Sequence, residues 1–360
     1  MRSYIAASLF FFTVVCTLQL HAQSPTIRKL TFLSPTVLET SGLVLINDTL
    51  YTHNDSGGDP CIYAISKSDT TVLNTVCFNT IRNVDWEDIA VDEHYLYIGD
   101  FGNNAGARKN LCIYRIRIDE LNSNNATIDT IAFSFGDQTD FAPNFRKTEY
   151  DCEALFTAGE YIYVLTKDWL HKKTKMYRLP KQPGAYQADP LLVVDTRGMV
   201  TGADFHPEKS LLALIGYEKR YPFHPLLFLI QFDEDMQNIR QFYRHSLHMN
   251  SLQTEGIVWS DGYRMYVSNE DLLNMSARLS EIDFSDCRLF GFISNPMPDP
   301  ETLWETGYNV NMQIADSSGN IVFDGKLKKF LRNEECMQHI VLPATVHWSV
   351  KKTSGWFVWQ

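Results

Sequence analysis

Glu87, Glu153 and Glu255 each open an apolar run, Asp100 closes another, and Asp85, Asp88 and Asp151 lie close to them in sequence. Carboxylates brought together in that number repel one another unless a cation or hydrogen bonds offset their charge. Oxygen ligands of this kind suit Ca2+ or Mg2+ rather than a soft metal. Polar side chains fit to orient a ligand stand nearby. They are Asn54-Asp55-Ser56-Gly57-Gly58, Asp100-Phe101-Gly102-Asn103-Asn104 followed by Arg108, Thr166-Lys167, and Asn269-Glu270. The expectation is a divalent-cation site with Glu87, Glu153, Glu255 and Asp100 as ligands, and with Asn54, Asp55, Asn103, Asn104, Lys167 and Asn269 binding the rest of the ligand. Lys167, Lys219 and Arg220 are placed to hold a phosphate or carboxylate. The competing role for the acidic residues is structural: each caps turn amides and ties one repeat to the next. No Ser-His-Asp order, Gly-x-Ser-x-Gly elbow or His-Glu-x-x-His helix is present. His53 and His206 are the histidines expected near the same face.

These residues recur because the chain repeats. Five segments begin at Ser41, Glu87, Glu153, Gly202 and Glu255. Each has an apolar strand, a turn and a second strand: Leu50-Tyr51-Thr52-His53, Leu96-Tyr97-Ile98-Gly99, Ile162-Tyr163-Val164-Leu165, Leu212-Ala213-Leu214-Ile215 and Met265-Tyr266-Val267-Ser268. Ser41 to Asn54, Glu87 to Asp100 and Glu153 to Thr166 span 13 residues each, and Gly202 to Gly216 and Glu255 to Asn269 span 14. A third strand follows in every unit and a fourth in most. Four-strand units recurring at about 46 to 66 residues are the signature of propeller blades. A lone four-stranded sheet leaves a face and two edges uncovered, so blades stacked about an axis bury what one blade cannot. The fifth unit lacks a fourth strand of its own, and Lys29 to Leu33 is an orphan able to supply it and close the ring. The reading is all-β: a five-bladed propeller, or a six-bladed one if the stretch between Asp100 and Asp151 hides a degenerate unit. A two-sheet sandwich is the alternative, but it does not account for the constant spacing. In a propeller, the start of each first strand and the end of each second emerge on one face near the axis, so the acidic corners should meet there.

Residues 1–22 read as a signal peptide, with Arg2, an apolar run from Ile5 to Leu18, and Ala22 before a cut ahead of Gln23. That run is short for a membrane span and no later stretch is longer, so no transmembrane segment is expected. The propeller is expected over 23–290. Asn295-Pro296-Met297-Pro298-Asp299-Pro300 then reads as a hinge into a small C-terminal antiparallel β-sandwich over 291–360. The formal net charge of −11 argues against nucleic acid as a partner. An even set of cysteines outside the signal suits an oxidising compartment. Cys61 and Cys77 flank a hairpin and could bridge it, with buried thiols as the alternative.

Ser41-Gly42-Leu43, Asn54-Asp55-Ser56-Gly57, Asp85-Trp86-Glu87-Asp88-Ile89-Ala90, Tyr97-Ile98-Gly99-Asp100-Phe101-Gly102-Asn103-Asn104 and Asp151-Cys152-Glu153-Ala154-Leu155 carry a resemblance. Over residues 27 to 290 the chain resembles exported bacterial propeller proteins distantly similar to the SdiA-regulated and esterase-like phytase propellers. A glutamate at a blade start is also similar to the metal ligand of gluconolactonase and senescence-marker propellers, which would give Glu87, Glu153 or Glu255 that role. The tail resembles a type IX secretion sorting domain over Val310-Asn311-Met312-Gln313-Ile314-Ala315-Asp316, Gly319-Asn320-Ile321-Val322 and Lys351 to Trp356. It departs in lacking Gly-aliphatic-Tyr before the last strand and a terminal basic residue. The resemblances imply a secreted or cell-surface location and secretion machinery as a partner. The expected function is a metal-dependent hydrolase of phosphate esters or lactones, with a non-catalytic propeller that binds a protein or glycan as the alternative.

Overall fold

The computed structural model describes residues 25–285 and 287, apart from 124–125, 219–222, 250–252 and 273–274, together with the backbone of four strands between 309 and 359. The expected signal peptide, the proline hinge with the boundary at 290, Lys219 and Arg220 lie outside the described residues. Apart from three short 3-10 turns, the regular elements described are strands, and none is a helix long and apolar enough to cross a membrane.

β1 (Thr26–Phe32) precedes five sheets. The first blade holds β2 (Thr40–Ile46), β3 (Thr49–Asn54), β4 (Cys61–Ile65) and β5 (Val72–Cys77). The second holds β6 (Trp86–Val91), β7 (Tyr95–Asp100), β8 (Leu111–Arg117) and β9 (Ile128–Phe135). In the third, β10 (Asp151–Ala158), β11 (Tyr161–Lys167) and β12 (Thr174–Pro180) are followed by β13 (Gly184–Ala188) and β14 (Pro190–Val194). β14 completes the third blade, while β13 crosses to the outer edge of the second and pairs in parallel with β9. The fourth blade is β15 (Met199–His206), β16 (Leu211–Glu218), β17 (His224–Phe232) and β18 (Ile239–Ser246). β19 (Thr254–Trp259), β20 (Arg264–Asn269) and β21 (Arg278–Asp283) make three strands of the fifth, and β1 pairs antiparallel with β21 as its fourth. The ring therefore closes as the orphan strand implied. The stretch between Asp100 and Asp151 contributes β8, β9 and irregular turns rather than a sixth blade.

The inner strands β2, β6, β10, β15 and β19 are almost continuously buried, whereas the outer strand β5 is mostly exposed. That gradient follows from stacking, since an inner strand has a neighbour on each face. The apolar clusters lie between blades: Val44 and Ile62 meet Ile89 and Ile98, Tyr97 and Ile113 meet Leu155 and Val164, and Ala154 and Phe156 meet Leu212 and Leu214. Each large apolar side chain buried this way stabilises the ring by about 1.5–3 kcal/mol.

Polar bonds tie the inner strands across the same joints. Ser41 Oγ donates to the Glu87 carbonyl, and Thr157 Oγ1 donates to the Val91 carbonyl at 2.7 Å. Asp88 accepts from its neighbour Ile89 N at 2.9 Å, from Leu155 N of the third blade at 2.9 Å and from Ala203 N of the fourth at 3.2 Å. Asp204 accepts from Trp259 N of the fifth blade at 2.7 Å. The structural role weighed for the acidic residues thus belongs to Asp88 and Asp204. Gly42 lets the first two blades approach. It sits at φ +59, and a Cβ there would lie 2.7 Å from Ile89 N.

β22 (Asn309–Ala315), β23 (Ile321–Lys326), β24 (Thr345–Lys352) and β25 (Gly355–Trp359) form one antiparallel sheet, with β25 alongside β18. The rest of the expected C-terminal sandwich, including a strand at His339 to Leu342, lies outside the described residues.

Cys61 and Cys77 are directly paired across β4 and β5 and form a disulfide, as the hairpin reading allowed. Cys112 and Cys152 are buried thiols.

Candidate functional site

Every inner strand slips register by one residue against its partner near its start. The shift falls between Ser41 and Val44, Trp86 and Asp88, Cys152 and Ala154, Val200 and Gly202, and Thr254 and Gly256. A β-bulge leaves one residue unpaired and re-aims its side chain. The residues left out of the ladder are Gly42 and Leu43 in the first blade and Glu87, Glu153, Thr201 and Glu255 in the others, so the bulge separates these four side chains from the alternation that would otherwise bury or expose them. In the fourth blade the slot belongs to Thr201 rather than Gly202. Gly202 is a packing glycine, because a Cβ there would come within 2.2 Å of the Glu255 carbonyl oxygen. Thr201 Oγ1 instead donates to the Thr254 carbonyl at 2.6 Å, so the bulge of that blade carries a hydroxyl in place of a carboxylate.

Asp55, Asp85 and Glu87 form a group in which each offers a carboxylate oxygen within 4.8 Å of the others. Asp55 comes from the loop after β3 and Asp85 from the residue before β6. Gly102 makes room for them: a Cβ there would lie 2.0 Å from Glu87 Oε1 and 2.4 Å from Asp85 Oδ2. Asp85 entered the sequence reading only as a neighbour, since nothing in its spacing set it apart from Asp88 or Asp151. The structure sets its carboxylate beside those of Asp55 and Glu87.

Asp100, expected as a ligand, stands behind this group as a support. Its carboxylate accepts from Arg108 Nη2 at 2.8 Å, Asp85 N at 3.3 Å, Val84 N at 3.4 Å and the Tyr114 hydroxyl at 3.5 Å. Asn103 is similarly engaged. Its amide donates to the Tyr150 carbonyl, its side-chain oxygen accepts from Arg108 N, and its backbone N–H donates to Asp151. Asn104 is half-buried, and its carbonyl accepts from Arg146 N. Asn54 donates from Nδ2 to the Thr36 carbonyl. Asn269 donates to the carbonyls of Glu270 and Ser276, and its buried Oδ1 has no partner among the described residues.

Burial and mutual repulsion set the electrostatics of the mouth. Burial, then Glu153, Asp55 and Asp85, push the Glu87 carboxyl well above the usual range. Burial, then Asp55, hold Asp85 up to about 7, and burial also raises Asp55. Burial lifts Glu255 to about 7 against the pull of Lys167, and burial with repulsion from Glu255 takes Glu270 to about 9. Glu153 is raised by burial despite its ion pair with Lys167, whose Nζ lies 3.0 Å from Oε2. Burial disfavours the Lys167 ammonium, yet Glu153 and the other negative groups around it more than offset that and keep it charged. The ammonium also lies over the rings of Trp169 and Tyr217 at 5.0 and 5.5 Å. Residues from the first, second, third and fifth blades thus act on one another here, as a shared axis requires.

The two histidines part company. His53 is buried between the first two blades, its pKa lowered by burial to about 4, with Nδ1 against the Asn54 carbonyl at 2.9 Å. His206 lies at the far end of β15, opposite Leu211 beside the hairpin turn, so it belongs to the other face. A second set of close ligand atoms, Glu149, Asp168 and His171, is accounted for internally. Lys175 pairs with Glu149 at 2.8 Å, and Asp168 caps its own turn through Leu170 N and His171 N.

No protein-family model matches the chain, and no curated protein is similar to it in sequence. Among solved structures, the soluble aldose sugar dehydrogenase of Escherichia coli is 9% identical with a TM-score of 0.42, covering 72% of this chain and 99% of its own. A protein from Lactobacillus plantarum is 16% identical with a TM-score of 0.36, covering 80% and 84%. The structure of U3-55K is 9% identical with a TM-score of 0.36, covering 71% and 98%. The chain is a five-bladed β-propeller with an acidic channel mouth. The residues that carry the sorting-domain resemblance lie partly outside the described residues, and the comparisons lend that resemblance no support.

Proposed function

We propose that this propeller is an exported, metal-dependent hydrolase that holds a divalent cation, Ca2+ or Mg2+, at its channel mouth through Asp55, Asp85 and Glu87. The carrying observation is the approach of their carboxylate oxygens to within 4.8 Å of one another in a space that Gly102 leaves open. Three crowded hard oxygen donors are what such a cation selects, in exchange for the protons they otherwise hold. When bound, it would polarise a substrate oxygen and lower the pKa of a bound water, the chemistry that opens a phosphate ester or lactone. Glu255 and Glu270 hold protons near neutral pH and are suited to protonate a leaving oxygen. Glu153 and Lys167 form a fixed ion pair that limits further negative charge at that side of the cup. Export is supported by the N-terminal pattern and by the Cys61–Cys77 disulfide, a bond that persists in oxidising compartments.

Calorimetric titration of chelator-stripped protein with Ca2+ should show saturable uptake. Asp85→Asn with Glu87→Gln should abolish it, and Gly102→Ala should weaken it at least tenfold by displacing both carboxylates. No heat at millimolar Ca2+, or an unchanged titration in the double variant, overturns the cation site. A metal-supplemented screen of phosphate esters and lactones then tests turnover. Uptake without turnover would make the same face a binding surface for a protein or glycan.

A further inference from the structure

The face opposite the acidic mouth carries a groove of about 440 Å3 between the third and fourth blades. The β10–β11, β15–β16 and β17–β18 turns form its walls. Two of these are the far ends of hairpins whose near ends carry Glu153 and Thr201, so the groove is separate from the cation site. Its rings are Tyr161, 39% exposed, and Phe205, which stacks on Phe156 with centroids 5.6 Å apart. The guanidinium of Arg178 already lies 4.5 Å from the centre of the Tyr161 ring, so one cation is held there by the chain itself.

The rim has the opposite charge. Glu160, Glu234 and Asp235 are exposed along it and have no ion-pair partner among the described residues. Asp233 is used differently, accepting from the N–H groups of Gln237 and Asn238 and from Asn238 Nδ2, which fixes the turn. Three carboxylates without ion-pair partners, against one guanidinium that is itself held over the Tyr161 ring, leave the groove negative. A second copy of this chain, with its net charge of −11, is a poor occupant on charge alone. We propose that the groove receives a lysine or arginine side chain from a basic peptide segment of a partner protein.

The test uses the full chain and a fluorescently labelled peptide of alternating arginine and glycine, followed by anisotropy at low salt in the presence of a chelator. The peptide should bind, and more weakly as salt rises. Glu160→Gln with Glu234→Gln and Asp235→Asn should weaken it at least tenfold. All three side chains are exposed, so an unchanged thermal midpoint is expected to show that the variant is folded. Tyr161→Ala should weaken binding as well, while Asp85→Asn with Glu87→Gln should leave it unaltered. The proposal is overturned by absence of binding, by full affinity in the neutralised-rim variant, or by loss confined to the mouth variant. Capture of a neutral oligosaccharide in place of the peptide, surviving neutralisation of the rim, would assign the groove to a glycan and also overturn it.

Discussion

The carboxyl groups of Asp85 and Glu255 sit at about 7, and that of Glu270 at about 9, because each is buried beside others of its kind. Their folded-state pKa values lie above those of the unfolded chain, so folding takes up protons. The corresponding stability is fully present below the ordinary carboxylate range. It is lost as pH rises through about 7 for Asp85 and Glu255 and through about 9 for Glu270. Thermal unfolding in a chelator should therefore show a midpoint that falls between about pH 5 and pH 8. Saturating Ca2+ should flatten the fall, since a bound cation replaces the protons, and Asp85→Asn should flatten part of it. Surface acids held low by hydrogen bonds, such as Asp119 and Asp233, are fully ionised throughout this range and do not reverse the slope. A midpoint that stays level or climbs across the window without metal would show that the mouth carboxyls are not crowded in solution.

Among the elements, the bulge near the start of each inner strand separates the mouth residues from the packing residues beside them. Glu87 faces the site, and Asp88, one step on, caps amides of three blades. Both are buried acids, and no feature of the sequence distinguishes them except their order. The five-fold repeat was legible because Tyr and aliphatic residues recur at a fixed distance from an acidic or small start. The mouth itself was legible for Glu87, Glu153 and Glu255. The slot in the fourth blade was misplaced because Gly202 matches Ser41 in size, whereas the ladder leaves Thr201 unpaired. Asp100 looked like a ligand because the side chain that claims it, Arg108, comes from a loop whose return was not visible in the spacing. β13 was missed because it joins a neighbouring blade rather than its own. Asp88→Ala should strip partners from three amides, each costing about 1–3 kcal/mol when buried and unpaired. Urea unfolding should register a loss of at least about 3 kcal/mol. A loss below about 1 kcal/mol would mean that water substitutes for the carboxylate at the axis.

Across the whole molecule, stability depends on links that tie distant parts of the chain. The Cys61–Cys77 bond staples the outermost hairpin of the first blade, with a sequence separation of 16. A closed loop of that size contributes about 3 kcal/mol. Replacing both cysteines with serine should lower the thermal midpoint by roughly 5–10 °C, and an unchanged midpoint would show that the blade edge is held by packing alone. The longer link is β1 against β21, where Arg28 reaches Glu281 across 253 residues. A ribosome delivers β1 before any other strand of the ring and its partner β21 after all of them, so the first strand must wait while four sheets are made. Loop closure over that distance is slow and entropically costly. The chain is thus an unlocked band until its fifth blade appears, with an edge free to pair with other strands. Moving β1 behind β21 by circular permutation would end that wait, giving a protein that locks sooner.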